Sequence, residues 1–220
     1  MQQHLTIITG ASRGLGLAMA MQRLTPGATV LCISRRVSDE LAHHAAASQA
    51  SVEQWAMDLA DSTAAASALS TWLQTKAHLP WRSVTLINNA GVISTLEPLR
   101  DGQSADLANA LRVGLEAPML LCAAFLGATR NWKIPRKVLN ISSGLGRRAM
   151  ASCASYCAAK AGMDHFTRCV ALEEALKPNG AAVCSLAPGV IDTDMQVQLR
   201  SADASAFPDQ HNFISLKDKG

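Results

Sequence analysis

The sequence predicts an α/β fold, a doubly wound parallel sheet contained in a single domain spanning residues 1–220. Three observations carry that prediction. Short apolar or β-branched runs alternate with longer Ala-rich stretches from one end of the chain to the other. Chain-turning residues separate them at Pro26-Gly27, Pro80, Pro135, Pro178-Asn179-Gly180 and Pro188-Gly189. No internal repeat or low-complexity linker divides the 220 residues, a length that suits one large core burying roughly 70% of the unfolded surface without disulfide or metal staples.

The expected strands are Leu5–Ile8, Thr29–Ser34, Ser51–Met57, Ser83–Ile87, Lys137–Ser142 and Ala181–Leu186. Helical length and periodicity fall between them, at Gly14–Thr25, Ser38–Ser48, Ser62–Ala77, Ser104–Thr129 and Ser152–Lys177. Strands and helices in strict alternation make βαβ units, hence a parallel sheet with helices on both faces. The remaining stretch, 192–220, is polar and irregular. It follows a strand end, where doubly wound folds place ligands, and reads as a substrate lid.

Composition narrows the function. With 49% hydrophobic and 17% charged residues the chain is globular. Its net charge of +3 contains no basic run of five, and aromatics are 4% of residues; neither a nucleic-acid nor a membrane-surface footprint is present. The N-terminus lacks the basic n-region of a signal peptide, and the apolar stretch Ala117–Ala128, interrupted by Pro118, is shorter than the roughly 20 residues of a membrane span and reads as a buried helix. The cysteines at 32, 122, 153, 157, 169 and 184 form no CxxC pair and read as reduced packing residues, which suits the cytoplasm.

Chemistry begins at the end of the first strand, where Thr9-Gly10-Ala11-Ser12-Arg13-Gly14-Leu15-Gly16 opens a helix. Glycines at 10, 14 and 16 permit a tight turn and close approach to a pyrophosphate at the helix N-terminus. A purely structural turn is the bland alternative. A phosphate loop of the NTPase kind is excluded, because no Lys-Ser/Thr follows Gly16. After the second strand, where a carboxylate would hold an adenosine ribose, stand Ser34, Arg35 and Arg36. With Arg13 nearby, these guanidiniums suit a 2′-phosphate, pointing to NADP(H), against a merely solvated charge pair. Tyr156, the single tyrosine, and Lys160 share a helix face at i,i+4, and Asn140-Ile141-Ser142-Ser143-Gly144 ends the strand before them. A nearby ammonium makes a phenol proton transferable closer to neutral pH. No nucleophile elbow supports a hydrolase. His43, His44 and His165 read as surface residues, and Cys153 with Cys157 makes a poor zinc site, so no metal is expected.

These residues resemble the short-chain dehydrogenase/reductase family, over nearly the whole chain. The carriers are TGxxxGxG from Thr9 to Gly16, Asn88-Asn89-Ala90-Gly91 after strand four, Ser143 thirteen residues before Tyr156, the YxxxK pair, and Pro188-Gly189. Within the family, Pro188 to Gln196 is similar to the sepiapterin reductase and benzil reductase branch, whose members reduce vicinal dicarbonyl or pteridine ketones with NADPH. The resemblance implies a Rossmann-type carbonyl reductase transferring hydride to a ketone or α-diketone. It implies that Tyr156 protonates the carbonyl oxygen, Ser143 hydrogen-bonds it, and Lys160 binds the nicotinamide ribose and lowers the Tyr156 pKa. Gly10, Ser12, Arg13, Gly14, Leu15, Gly16, Arg35 and Arg36 would hold the pyrophosphate and 2′-phosphate end. Asp58 and Leu59 would border the adenine. Asn89, Ala90 and Gly91 would line the cleft with Pro188 and Gly189, and Ile191 and Thr193 would hold the carboxamide. A homodimer through the two long Ala-rich helices is implied as well.

Two departures stand out. Gly114 occupies the place of the family's Asn, where it would leave a small polar void and mark a local kink. The sequence ends at Gly220, where relatives continue through another helix and strand. Those departures leave a catalytically idle NADP(H)-binding sensor as an alternative, and an alcohol dehydrogenase working oxidatively is another.

Overall fold

A computed structural model describes residues 3–219. Six strands form one parallel sheet in the order β3-β2-β1-β4-β5-β6, with β1 at His4–Thr9, β2 at Thr29–Ser34, β3 at Ser51–Ala56, β4 at Ser83–Asn88, β5 at Arg136–Ile141 and β6 at Ala182–Leu186. The order reverses between β1 and β4, which opens a crevice at the carboxyl ends of those two strands. Every expected strand is present, displaced by at most a residue or two at its ends.

Alternation along the strands sorts the core into two layers. Leu5, Ile7, Leu31, Ile33, Val84 and Leu86 face α3 (Ser62–Lys76) and α5 (Ala117–Thr129), whereas Ile8, Val30, Cys32 and Ile87 face α1 (Gly14–Arg23) and α2 (Asp39–Ala47). Local signals set the helix starts: Ser38 caps α2 by accepting from the Leu41 N–H, and Asp61 caps α3 by accepting from the Ala64 N–H. On the edge strand β6, Ala182, Cys184 and Leu186 are exposed. Cys184 and the exposed Cys169 of α6 (Ala154–Ala175) therefore depart from the packing role expected of all six cysteines, while Cys32, Cys122 and Cys153 keep it.

The stretch expected as one helix over Ser104–Thr129 is composite. Between α4 (Ser104–Leu111) and α5 lies a π-helical turn, Arg112–Glu116, with Gly114 at its centre. A glycine where the backbone must widen by one residue is a physical cause for such a turn. Taken together the 26 residues are long and apolar enough to cross a membrane by length and composition alone, a reach that the shorter apolar stretch did not reveal. Here Ala117, Leu121, Cys122 and Phe125 are buried in the protein core.

The region 192–220, expected to be irregular, is helical over much of its described part. It forms α7 (Asp194–Arg200) and α8 (Gln210–Lys219). Leu199 and the fully buried Phe207 anchor it in a third apolar cluster with Ile93, Leu96, Met150, Cys153 and Tyr156. The Met195/Leu199 pair at i,i+4 was the legible signal of α7.

Candidate functional site

At the crevice, Gly10 takes a left-handed conformation at φ 69° and donates its N–H to the Ile33 carbonyl at 2.8 Å. A Cβ at Gly16 would overlap the Gly10 carbonyl, so the start of α1 packs directly on the turn. No side chain caps α1, which leaves its N-terminal amides directed to the crevice, the arrangement that binds phosphate. Asn89 secures the turn from β4: its Nδ2 donates to the Thr9 and Gly10 carbonyls at 3.1 and 3.2 Å. The Thr9 hydroxyl in return accepts from the N–H groups of Asn89 and Ala90 at 3.0 Å. A buried amide chain, Asn88 to Asn140 to Thr167, then ties β4 and β5 to α6 with two 2.8 Å hydrogen bonds.

Every nucleotide-site residue expected from the sequence lines one cleft of about 930 Å³, from Gly10 through Arg35, Arg36, Asp58 and Leu59 to Ile191 and Thr193. Arg35 and Arg36 are exposed at its rim. Arg13 is also there, but its Nη1 is held at 2.6 Å by Asp194, the first residue of α7. Asp194 was not anticipated, and neither was Asn109, which lines the cleft one turn before Val113.

A second cavity of about 620 Å³ adjoins the cleft, lined by apolar Ile93, Leu145, Met195, Leu199, Phe213 and Leu216. Ser143 and Tyr156 line both spaces, and Lys160 lines the cleft. Ser143 starts a 3-10 turn, Gly144–Gly146, and its hydroxyl accepts from the Leu145 N–H at 3.2 Å. Tyr156 lies in the first turn of α6, positioned by the contacts of Leu199 and Phe207 in the third cluster. The buried Lys160 donates from Nζ to the Ile141 carbonyl at 2.7 Å.

Burial raises the Tyr156 phenol above its ordinary value of 10; the neighbouring Ser143 hydroxyl opposes that, and Cys153 and Cys157 add to it. Burial lowers Lys160 to about 8, opposed by the Asp164 charge. The anticipated depression of the phenol by Lys160 is thus not what this geometry produces, because the ammonium is turned to the Ile141 carbonyl and lies 5.6 Å from the phenol ring centre. Gly114 marks the expected local irregularity, as the centre of the π-helical turn, but not the expected void. A Cβ there would stand 3.0 Å from the Ala159 Cβ, so the position is packed against α6 and is no void.

Residues 4–204 match the short chain dehydrogenase family profile. A benzil reductase ((S)-benzoin forming) of Bacillus cereus is 36% identical over 214 residues, covering 97% of this chain and 86% of the relative. A sepiapterin reductase of Xenopus tropicalis is 31% identical over 229 residues, covering 98% and 84%. Among solved structures, a metagenomic short-chain oxidoreductase in complex with NADP superposes with a TM-score of 0.75, at 32% identity over 85% of this chain and 82% of that one.

Proposed function

The chain belongs to the short chain dehydrogenase family, and from that premise we propose that it is an NADPH-dependent reductase of a small ketone or α-diketone, similar in substrate class to the benzil and sepiapterin reductases. The observation that carries this reading is the placement of Ser143 and Tyr156 on the wall shared by a polar, glycine-lined cleft and an apolar cavity. A nicotinamide cofactor in the cleft would supply the hydride to the carbonyl carbon. The residues fit such a group: the packed Gly10/Gly16 turn leaves backbone amides free at α1, and Arg35 and Arg36 offer bidentate donors to a 2′-phosphate.

In this reading the substrate lies in the apolar cavity with its carbonyl oxygen toward Tyr156, which donates the phenolic proton as charge develops on that oxygen. The Ser143 hydroxyl donates a hydrogen bond to the same oxygen. Lys160 would hold the ribose hydroxyls, and its ammonium, 5.6 Å from the phenol ring centre, is a cation close enough to favour the phenolate once it forms. Asp58 and Leu59 would border the adenine; they line the same cleft as Asn89 to Gly91, Pro188, Gly189, Ile191 and Thr193. Residues 192–220 act as the substrate lid on this single domain. A cytoplasmic homodimer completes the reading, supported by the six free cysteines and by exposed Leu111, Met119, Leu172 and Leu176 on the long helices.

The test is NADPH oxidation against diketones, pterins and simple ketones, with NADPH binding measured in parallel. Turnover of bulky dicarbonyls is expected; binding without turnover on any carbonyl would return the chain to the sensor reading.

A further inference from the structure

One turn beyond Lys160 on α6 lies Asp164, a carboxylate only 2% exposed. Among the described residues both of its oxygens are buried without a hydrogen-bond partner. A buried, unsatisfied carboxylate is costly and calls for a reason. Its surroundings supply one. The Arg147 Nε approaches Oδ2 at 3.5 Å, an ion pair too long for a good hydrogen bond. Gly146 packs so closely that a Cβ there would stand 3.0 Å from both Asp164 Oδ2 and the Lys160 carbonyl. The turn that begins at Ser143 therefore rests on α6 between Lys160 and Asp164.

The other elements around Lys160 present mostly neutral groups. Strand β5 offers the Ile141 carbonyl, the loop after β4 brings Gly91, whose added Cβ would be 3.7 Å from Nζ, and the π-helical turn packs Gly114 on Ala159. Tyr156 shares the helix. Arg147 is the cation facing Asp164 from the loop. Asp164 is thus the negative charge that opposes the desolvation of this ammonium.

We propose that Asp164 is a positioning residue of the active site, whose buried carboxylate keeps Lys160 charged and, through Arg147, holds the turn that carries Ser143. This rests on the reductase reading for its consequence in turnover, though not for the charge coupling itself. Arg147 faces Asp164 at 3.5 Å, and Lys160 is buried one helical turn away from it, so one anion is placed to act on both cations. Removing the anion and removing the competing cation must therefore move Lys160 in opposite directions, which a merely structural carboxylate would not do.

The experiment is a 13C-lysine NMR titration of Lys160, assigned with Lys160→Arg, in the wild type, Asp164→Asn and Arg147→Gln, beside the pH profile of NADPH-dependent turnover. Asp164→Asn should bring the Lys160 midpoint down by about one pH unit, and Arg147→Gln should bring it up by a smaller amount. The alkaline limb of turnover should follow in the same directions. Arg147 has a largely exposed side chain, so its variant reports even if Asp164→Asn does not fold. Unmoved midpoints, or midpoints moving the same way in both variants, would overturn the proposal. Moved midpoints in a protein that turns over no carbonyl would support the coupling while removing the reductase reading.

Discussion

Helix α6 carries two buried charge clusters ten residues apart, and their carboxylates are satisfied to different degrees. Near its start, Lys160 and Asp164 lie beside the crevice, with both Asp164 oxygens unsatisfied. Near its end, Glu174 is 3% exposed, yet it accepts from the Ala181 N–H at 2.8 Å and from Lys177 Nζ, and faces the buried Arg136 at 3.5 Å. Arg136 in turn donates to the Asn179 carbonyl. The second cluster joins β5, α6 and the loop into β6 and hydrogen-bonds its carboxylate; the first leaves both Asp164 oxygens without a hydrogen bond, one helical turn from Lys160 of the crevice. The difference lies in the carboxylates and not in burial: Glu174 and Asp164 are equally buried, Glu174 is hydrogen-bonded and Asp164 is not, while Arg136 Nε in the scaffold cluster also lacks a partner among the described residues.

The largest effect is expected at the catalytic phenol: Tyr156→Phe should cut kcat about a thousandfold while NADPH binding stays intact. Near-normal turnover would place the proton donor elsewhere. At the scaffold end, Glu174→Ala should cost about 3 to 5 kcal/mol in a denaturation experiment, because it strands Arg136 in the interior, and should leave the NADPH dissociation constant alone.

That scaffold contribution carries a pH signature. Burial pushes the Glu174 carboxyl up, but the Ala181 N–H, Lys177 and Arg136 pull it further down, so its folded value lies below the ordinary one. Its stabilisation is therefore complete above the unfolded carboxylate pKa and is lost as pH falls through the folded one. The melting temperatures of wild type and Glu174→Gln should converge in acid.

Cofactor discrimination is expected to be smaller. NADPH should bind at least about tenfold more tightly than NADH, roughly 1.4 kcal/mol, and Arg35→Ala should erase much of the preference; equal dissociation constants in the wild type would count against the arginine rim. The smallest effect concerns Gly114→Asn. Its side chain meets Ala159, so overpacking should cost about 1 kcal/mol. A double-mutant cycle with Ala159→Gly should show compensation, and strictly additive costs would mean the asparagine finds room without displacing α6.

Much of this molecule is legible in one dimension because its signals are local. Short apolar or β-branched runs marked all six strands, and the Gly10/Gly14/Gly16 and Tyr156/Lys160 spacings marked the crevice. What escaped depends on contacts distant in sequence. Asp194 meets Arg13 across 181 residues, and Asp164 reads as an ordinary helical acid until the Ser143 turn is laid over it. The anchoring of residues 194–207 escaped for the same reason: Leu199 and Phe207 gain their apolar partners only when folded against Ile93 and Met150.

The π-helical turn at Arg112–Glu116 gives the long helix two independent phases. An α-helix advances about 100° per residue, so one additional residue in a turn rotates everything before it by about that angle relative to everything after it. The segment before the turn can aim Asn109 at the crevice, while Val113 within it and Leu121 and Phe125 after it pack in the core against the sheet. A straight helix would have to choose one bearing for both. Deleting a single residue here would leave each half as helical as before, yet misdirect one of them by more than a quarter of a circle.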